Sequence, residues 1–160
     1  MGTRRALVVA LALVACAENP PVESTLDEPY FRCQVQPVLE ARCAMLACHG
    51  DEVRPLRIYA RNRLRLDAED TQLNLPMSDE ELALNYANAA AFVDDDPDTS
   101  FLLRKPLDEA AGGYYHAGRE LFDMGDVFTD TEDVGYQVLR AWAEGEVADP
   151  ACVYAGQEAP

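Results

Sequence analysis

The chain has 160 residues, 49% of them apolar, with 29 acidic against 13 basic side chains, a formal charge of -16, five cysteines and two histidines. That length suits one domain with a real core and excludes both a mini-protein and a multi-domain enzyme. So acidic a surface lacks the clustered Lys and Arg that phosphate neutralisation requires, which excludes non-specific nucleic-acid binding and makes basic or metal-bearing groups the expected charged partners.

At the start, Arg4 and Arg5 precede an unbroken apolar run from Ala6 to Ala15, the charged opening and short apolar core of a secretory signal. A bilayer-spanning helix needs about 20 such residues, so this run is too short to be an anchor. Leu13-Val14-Ala15-Cys16 resembles the lipobox of bacterial lipoproteins. The likeness implies cleavage before Cys16 and lipidation of its thiol, whereas an ordinary cleaved signal would leave Cys16 as a spare cysteine. Residues 1–15 are therefore read as a lipoprotein signal peptide. Residues 16–28, acidic and proline-bearing, are read as a lipidated flexible tether. Acyl chains would hold the protein at a membrane of the bacterial cell envelope, facing the periplasm or at the outer membrane. Residues 29–160 remain for the folded domain.

That domain opens on a helix. Phe31, Val35, Val38 and Leu39 have helical spacing over residues 29–42, Pro29 suits a first turn, and Pro37 predicts a bend. Next comes Cys43-Ala44-Met45-Leu46-Ala47-Cys48-His49-Gly50. A c-type haem needs two thiols to add to its vinyl groups and a histidine beside the second thiol to ligate iron. The standard arrangement is C-x-x-C-H. Here the spacer is four residues long, and longer spacers of this kind are known in c-type cytochromes. Cys43 and Cys48 are thus candidate attachment residues and His49 the candidate proximal ligand.

From Leu56 to Leu66 apolar and polar residues alternate, which predicts a short strand or extended ribbon. Arg54, Arg57, Arg61, Arg63 and Arg65 fall in or beside it. They would form the charged face of an edge strand, with one of them expected to reach a haem propionate. Ser78-Asp79-Glu80-Glu81 has capping-box spacing, and the helix it opens should stop at Asp94-Asp95-Asp96-Pro97. His116 lies in the loop Gly112 to Gly118 and is the only imidazole besides His49. It is the first candidate for the sixth iron ligand, with Met124 the alternative, which would raise the reduction potential. Met45 and Met77 read as core filling. Thr129-Asp130-Thr131-Glu132 carries cap chemistry before a last helix whose Tyr136, Val138, Leu139 and Trp142 can cover the haem or the first helix.

If Cys43 and Cys48 carry haem, Cys33 and Cys152 are left over. A bridge between them would clamp the two terminal helices and contribute about 4 to 5 kcal/mol on the chain-entropy model. The alternative is two disulfides, Cys43 with Cys48 in the second, and no haem. There is no nucleophile elbow, phosphate-binding loop, H-E-x-x-H or G-x-G-x-x-G, so no enzymatic activity is expected.

Tyr30-Phe31, then Val35-Gln36-Pro37-Val38-Leu39, Cys43 and Cys48-His49-Gly50 occur in order. Ser100-Phe101-Leu102-Leu103-Arg104-Lys105-Pro106, Gly112-Gly113-Tyr114-Tyr115-His116-Ala117-Gly118 and Tyr136 to Trp142 follow them. Across about residues 29–146 this series resembles the planctomycete-type cytochrome c domain, a branch of the class I c-type cytochromes. The resemblance implies a small, mainly α, class I-like cytochrome c fold with terminal helices packed around one covalent haem c. It further implies His49 as proximal and His116 as distal ligand, and electron transfer with redox partner proteins, while the acid runs Asp67 to Asp70, Asp79 to Glu81 and Asp94 to Asp98 suit a partner with a basic docking surface. Readings from other classes are a haem-based module that binds or senses a small ligand, and a haem-free, disulfide-stapled surface lipoprotein.

Overall fold

The computed structural model describes residues 24–117 and 125–152. The signal segment, Cys16 and Met124 lie outside the described residues. Among those described, the chain is mainly helical and contains no strand, only an isolated parallel bridge between Leu107 and Phe128.

The first helical run has three parts: α1 (Glu28–Tyr30), a π-helical turn (Phe31–Val35) and α2 (Gln36–Arg42). Asp27 caps it, its Oδ1 accepting from the Tyr30 N–H at 2.6 Å. Pro37 has no N–H to offer the carbonyl one turn back, and its ring crowds that turn. The bend expected at Pro37 is taken up just ahead of it, where the wider π turn closes through the Gln36 N–H to the Phe31 carbonyl. Phe31, Val35 and Leu39 share the face that is buried.

Among the described residues four further α-helices follow: α3 (Ala68–Leu73), α4 (Asp79–Ala90), α5 (Phe101–Arg104) and α6 (Val134–Ala143). The capping box opens α4 as its sequence requires, with the Ser78 side chain accepting from the Glu81 N–H and the Glu81 side chain from the Ser78 N–H. α6 starts differently from expectation. Its cap is Asp133, whose Oδ1 accepts from the Gly135 N–H at 2.7 Å, while Asp130 closes a separate turn by accepting from the Glu132 N–H. The carboxylate nearest the helix thus takes the free donors.

α6 crosses the first helical run. Trp142 packs on Phe31 with ring centroids 5.1 Å apart, and Tyr86 of α4 closes the aromatic cluster at 5.6 Å from Phe31 and 5.8 Å from Trp142. Asp27 ties both ends together: its carbonyl accepts from Trp142 Nε1 at 2.9 Å, and its Oδ1 also accepts from the Ala148 N–H at 3.2 Å. Cys33 and Cys152, 119 positions apart in sequence, form a disulfide across the same junction, with Cα atoms 6.2 Å apart.

The strand expected from Leu56 to Leu66 does not form. Ile58, Tyr59 and Ala60 are buried in succession, so the alternation in sequence is not an in-and-out alternation in space. The backbone finds side-chain partners instead of a neighbouring strand. The Tyr59 N–H donates to Asn85 Oδ1, and its carbonyl accepts from Asn85 Nδ2, both at 2.8 Å. Asn85 Nδ2 also donates to Gln36 Oε1 at 3.0 Å, which links this extended segment to α2 and α4.

Candidate functional site

α2 ends at Cys43, and the chain turns at once. The Ala44 N–H donates back to Leu39, the His49 N–H to Cys43 at 3.0 Å, and the Cys48 and Gly50 N–H groups both to the Met45 carbonyl. A side chain at position 50 would place Cβ only 2.3 Å from the Ala44 carbonyl oxygen, so the turn closes only with glycine there. The closed turn puts the Cys43 and Cys48 thiols and the His49 ring on one cavity wall. Both thiols are free, Cys43 buried and Cys48 half-buried. Burial, with the neighbouring Cys48 sulfur, pushes the Cys43 thiol up to about 12, so it is held protonated.

His49 is fixed by its own backbone. Its Nδ1 lies 2.7 Å from the Leu56 carbonyl oxygen. A carbonyl only accepts, so Nδ1 carries the proton and Nε2 keeps its lone pair. Burial lowers the ring's basicity, with Arg54 acting in the same direction, and the imidazole is kept neutral as a ligand requires.

His116 reaches the cavity from the opposite side, on the loop that follows α5. Gly112 is in the left-handed region at φ 96, and a Cβ at Gly113 would overlap the Leu107 carbonyl oxygen at 1.7 Å. The next residues are pinned to α5. The Tyr114 N–H donates to Arg104 at 2.7 Å, the Arg104 guanidinium lies 4.6 Å from the Tyr114 ring centre, and Lys105 Nζ donates to the Tyr115 carbonyl at 2.8 Å. His116 Nδ1 is buried and makes no hydrogen bond. Its basicity is lowered by burial, then by His49 and Lys105, against the opposing pull of Asp126.

The two imidazoles stand with ring centroids 6.0 Å apart and planes inclined by 15°. Metal–nitrogen bonds of about 2 Å on opposite sides of one ion put ring centroids about 6 Å apart, so the spacing suits two axial ligands. The surrounding cavity is about 790 Å³ and mostly apolar, walled in part by Leu39, Leu56, Phe92, Leu102, Val127 and Leu139, which suits a flat hydrophobic cofactor. Among the described residues, no group of three or more His, Cys, Asp or Glu could hold a metal ion.

The five arginines of residues 54–65 do not line the cavity. Arg54 donates to Ala47, Arg57 to Glu52, Arg61 to Asn74 and Arg63 to Glu40, all at backbone carbonyls, while Arg65 pairs with Glu81. They brace the loop. The charged side chains on the wall are Arg42, Lys105 and Asp126, none of which stood out in the sequence as a site residue. One signal was available for Lys105, since it is the only lysine in the chain.

Comparison with known proteins gave no match to any family model, to any curated protein or to any solved structure.

Proposed function

We propose that this chain is a c-type cytochrome that transfers single electrons at a membrane surface of the cell envelope. The observation that carries the reading is the facing pair of imidazoles, His49 and His116, in an apolar cavity whose wall also bears two free thiols. Cys43 and Cys48 would hold one haem c covalently, His49 would be its proximal ligand and His116 its distal one. Haem supplies a one-electron iron couple when bound. The chain's own part is to keep His49 in one tautomer through the Leu56 carbonyl, to hold His116 on a glycine-shaped loop, and to keep water from the apolar walls. The likeness of residues 29–146 to the planctomycete-type cytochrome c domain adds to this reading. So does the lipobox-like Leu13 to Cys16, which would place the domain on a lipid anchor beside its redox partners.

The test is an optical spectrum, oxidised and dithionite-reduced, with a pyridine haemochrome and a haem-stained denaturing gel, on protein matured with c-type assembly machinery. One covalent, low-spin haem per chain is the expected result. A colourless protein from a host shown to load a control cytochrome would refute it.

A further inference from the structure

The cavity wall is apolar apart from the two imidazoles, the thiols and three charged side chains, and those three differ in what they have left to offer. Arg42 already has its charge paired: its Nη1 donates to Asp133 Oδ2 at 2.9 Å and to the Val127 carbonyl at 3.3 Å, and its guanidinium lies over the Phe128 ring at 5.3 Å. Asp126 carries the wrong sign for an anion. Lys105 caps the C-terminal end of α5, is half-buried at the cavity rim, and makes no ion pair among the described residues. An ammonium has three donors, and one of them holds the Tyr115 carbonyl.

We infer that Lys105 anchors a carboxylate of the bound haem while the same ammonium holds the loop that presents His116. This rests on the haem reading above and adds the residue that orients the cofactor within the cavity. A flat ligand that is apolar at its centre and anionic at its edge needs a cation where the wall meets water. The arginine-rich segment does not supply one, since none of its arginine side chains lines the cavity. The Tyr115 carbonyl is one residue from His116, so cofactor orientation and distal-ligand placement would share one atom, Lys105 Nζ. Lys105 is a positioning residue in this scheme, not an iron ligand.

The experiment compares wild-type holoprotein with K105M, K105R and R42M. It reads the propionate bending bands in resonance Raman, the midpoint potential, and the rate at which added imidazole binds the ferric iron. K105M should shift the bands and lower the potential, because removing a cation favours the ferric state. It should also speed imidazole binding about ten-fold, the effect of losing one charge-assisted hydrogen bond from the loop. K105R keeps the cation and donors and should restore the wild-type bands, and R42M should leave them in place. Unshifted bands in K105M, even with faster imidazole binding, would reduce Lys105 to a loop brace and overturn the inference. A shift confined to R42M would give the anchor to Arg42 and overturn it equally. Absence of covalent haem from the wild-type protein would be seen before any band is compared, and would overturn the haem reading together with this one.

Discussion

Replacing Glu81 by glutamine should cost far more than an ordinary surface change, and should also remove an acid-sensitive share of stability. Glu81 and Arg65 have fully buried side chains and meet through two hydrogen bonds of 2.8 Å. Burial alone would raise the carboxyl, but the Arg65 guanidinium and the N–H groups of Ser78 and Leu66 outweigh it and hold the group at about 2, against an ordinary 4.5. A carboxyl depressed in this way stabilises the fold above its unfolded pKa. The difference amounts to about 3 kcal/mol at neutral pH, lost as pH falls from about 4.5 toward 2. Glutamine keeps the shape but leaves the buried Arg65 charge with the Leu75 and Pro76 carbonyls and, as its remaining carboxylate among the described residues, Asp70 at 3.5 Å, and breaking a buried pair costs about 3 to 5 kcal/mol. Urea denaturation of wild type and E81Q at pH 7 and pH 3 measures both effects. The expected result is a large gap at pH 7 that narrows at pH 3. A gap under about 1 kcal/mol, the range of an exposed pair, or equal acid sensitivity in the two proteins, would refute the reasoning.

The residues proposed to hold haem have sharper readouts. His116→Ala should convert the oxidised spectrum from low-spin to high-spin, and a spectrum that stays low-spin would assign the distal position to another residue, Met124 being the candidate. Cys43→Ala and Cys48→Ala should each weaken covalent haem retention on a denaturing gel, and unchanged retention in both would dispose of the attachment site. Cys33→Ser should lower stability by about 5 kcal/mol, the value of opening a loop of this length on the chain-entropy model; a change in urea midpoint too small to resolve would show that Asp27 and Trp142 clamp the termini unaided.

The parts of the fold written in local chemistry could be read from the sequence. The Ser78 to Glu81 capping box, the buried stripe of Phe31, Val35 and Leu39, and the pairing of Cys33 with Cys152 each follow from a short-range pattern or a small set of cysteines. What failed depended on long-range partners. Leu56 to Leu66 reads as a strand because period-two alternation is the usual sign of one, yet the backbone of Tyr59 is satisfied by the side chains of Asn85 and Gln36, 26 and 23 positions away. The arginines misled for a related reason. Charge density at residues 54–65 pointed to a ligand, whereas Arg61, Arg63 and Arg65 are engaged by partners 13, 23 and 16 positions away, and the cations that do reach the cavity come from the ends of α2 and α5. The facing of His49 and His116 could be suspected from their scarcity. Their separation could not, because it depends on how two glycine-dependent turns are set against the core.

The four-residue spacer between the thiols is the main departure from the usual haem-binding motif, and the turn shows how a longer spacer can leave the His49 ring held in place. The His49 N–H still returns to the Cys43 carbonyl, and the Cys48 and Gly50 N–H groups converge on Met45, so both ends of the motif are tied by backbone bonds that span the spacer. The slack is displaced outward. Met45 and Leu46 are exposed, at 38% and 65%, while Cys43 and Ala44 stay in the core. Extra length that goes to solvent costs little, because closure entropy grows only slowly with loop length. The position of His49 is set from outside the spacer by the Leu56 carbonyl and by the His49 carbonyl accepting from the Ile58 N–H at 2.8 Å. Deleting Leu46 and Ala47 to restore a two-residue spacer should therefore shift Cys43 relative to Cys48 while leaving the His49 ring on Leu56. In a haem-loaded protein, covalent attachment would then change and axial ligation would not. Loss of the low-spin spectrum in that deletion, with haem still attached, would show that the spacer rather than the Leu56 carbonyl sets the ligand.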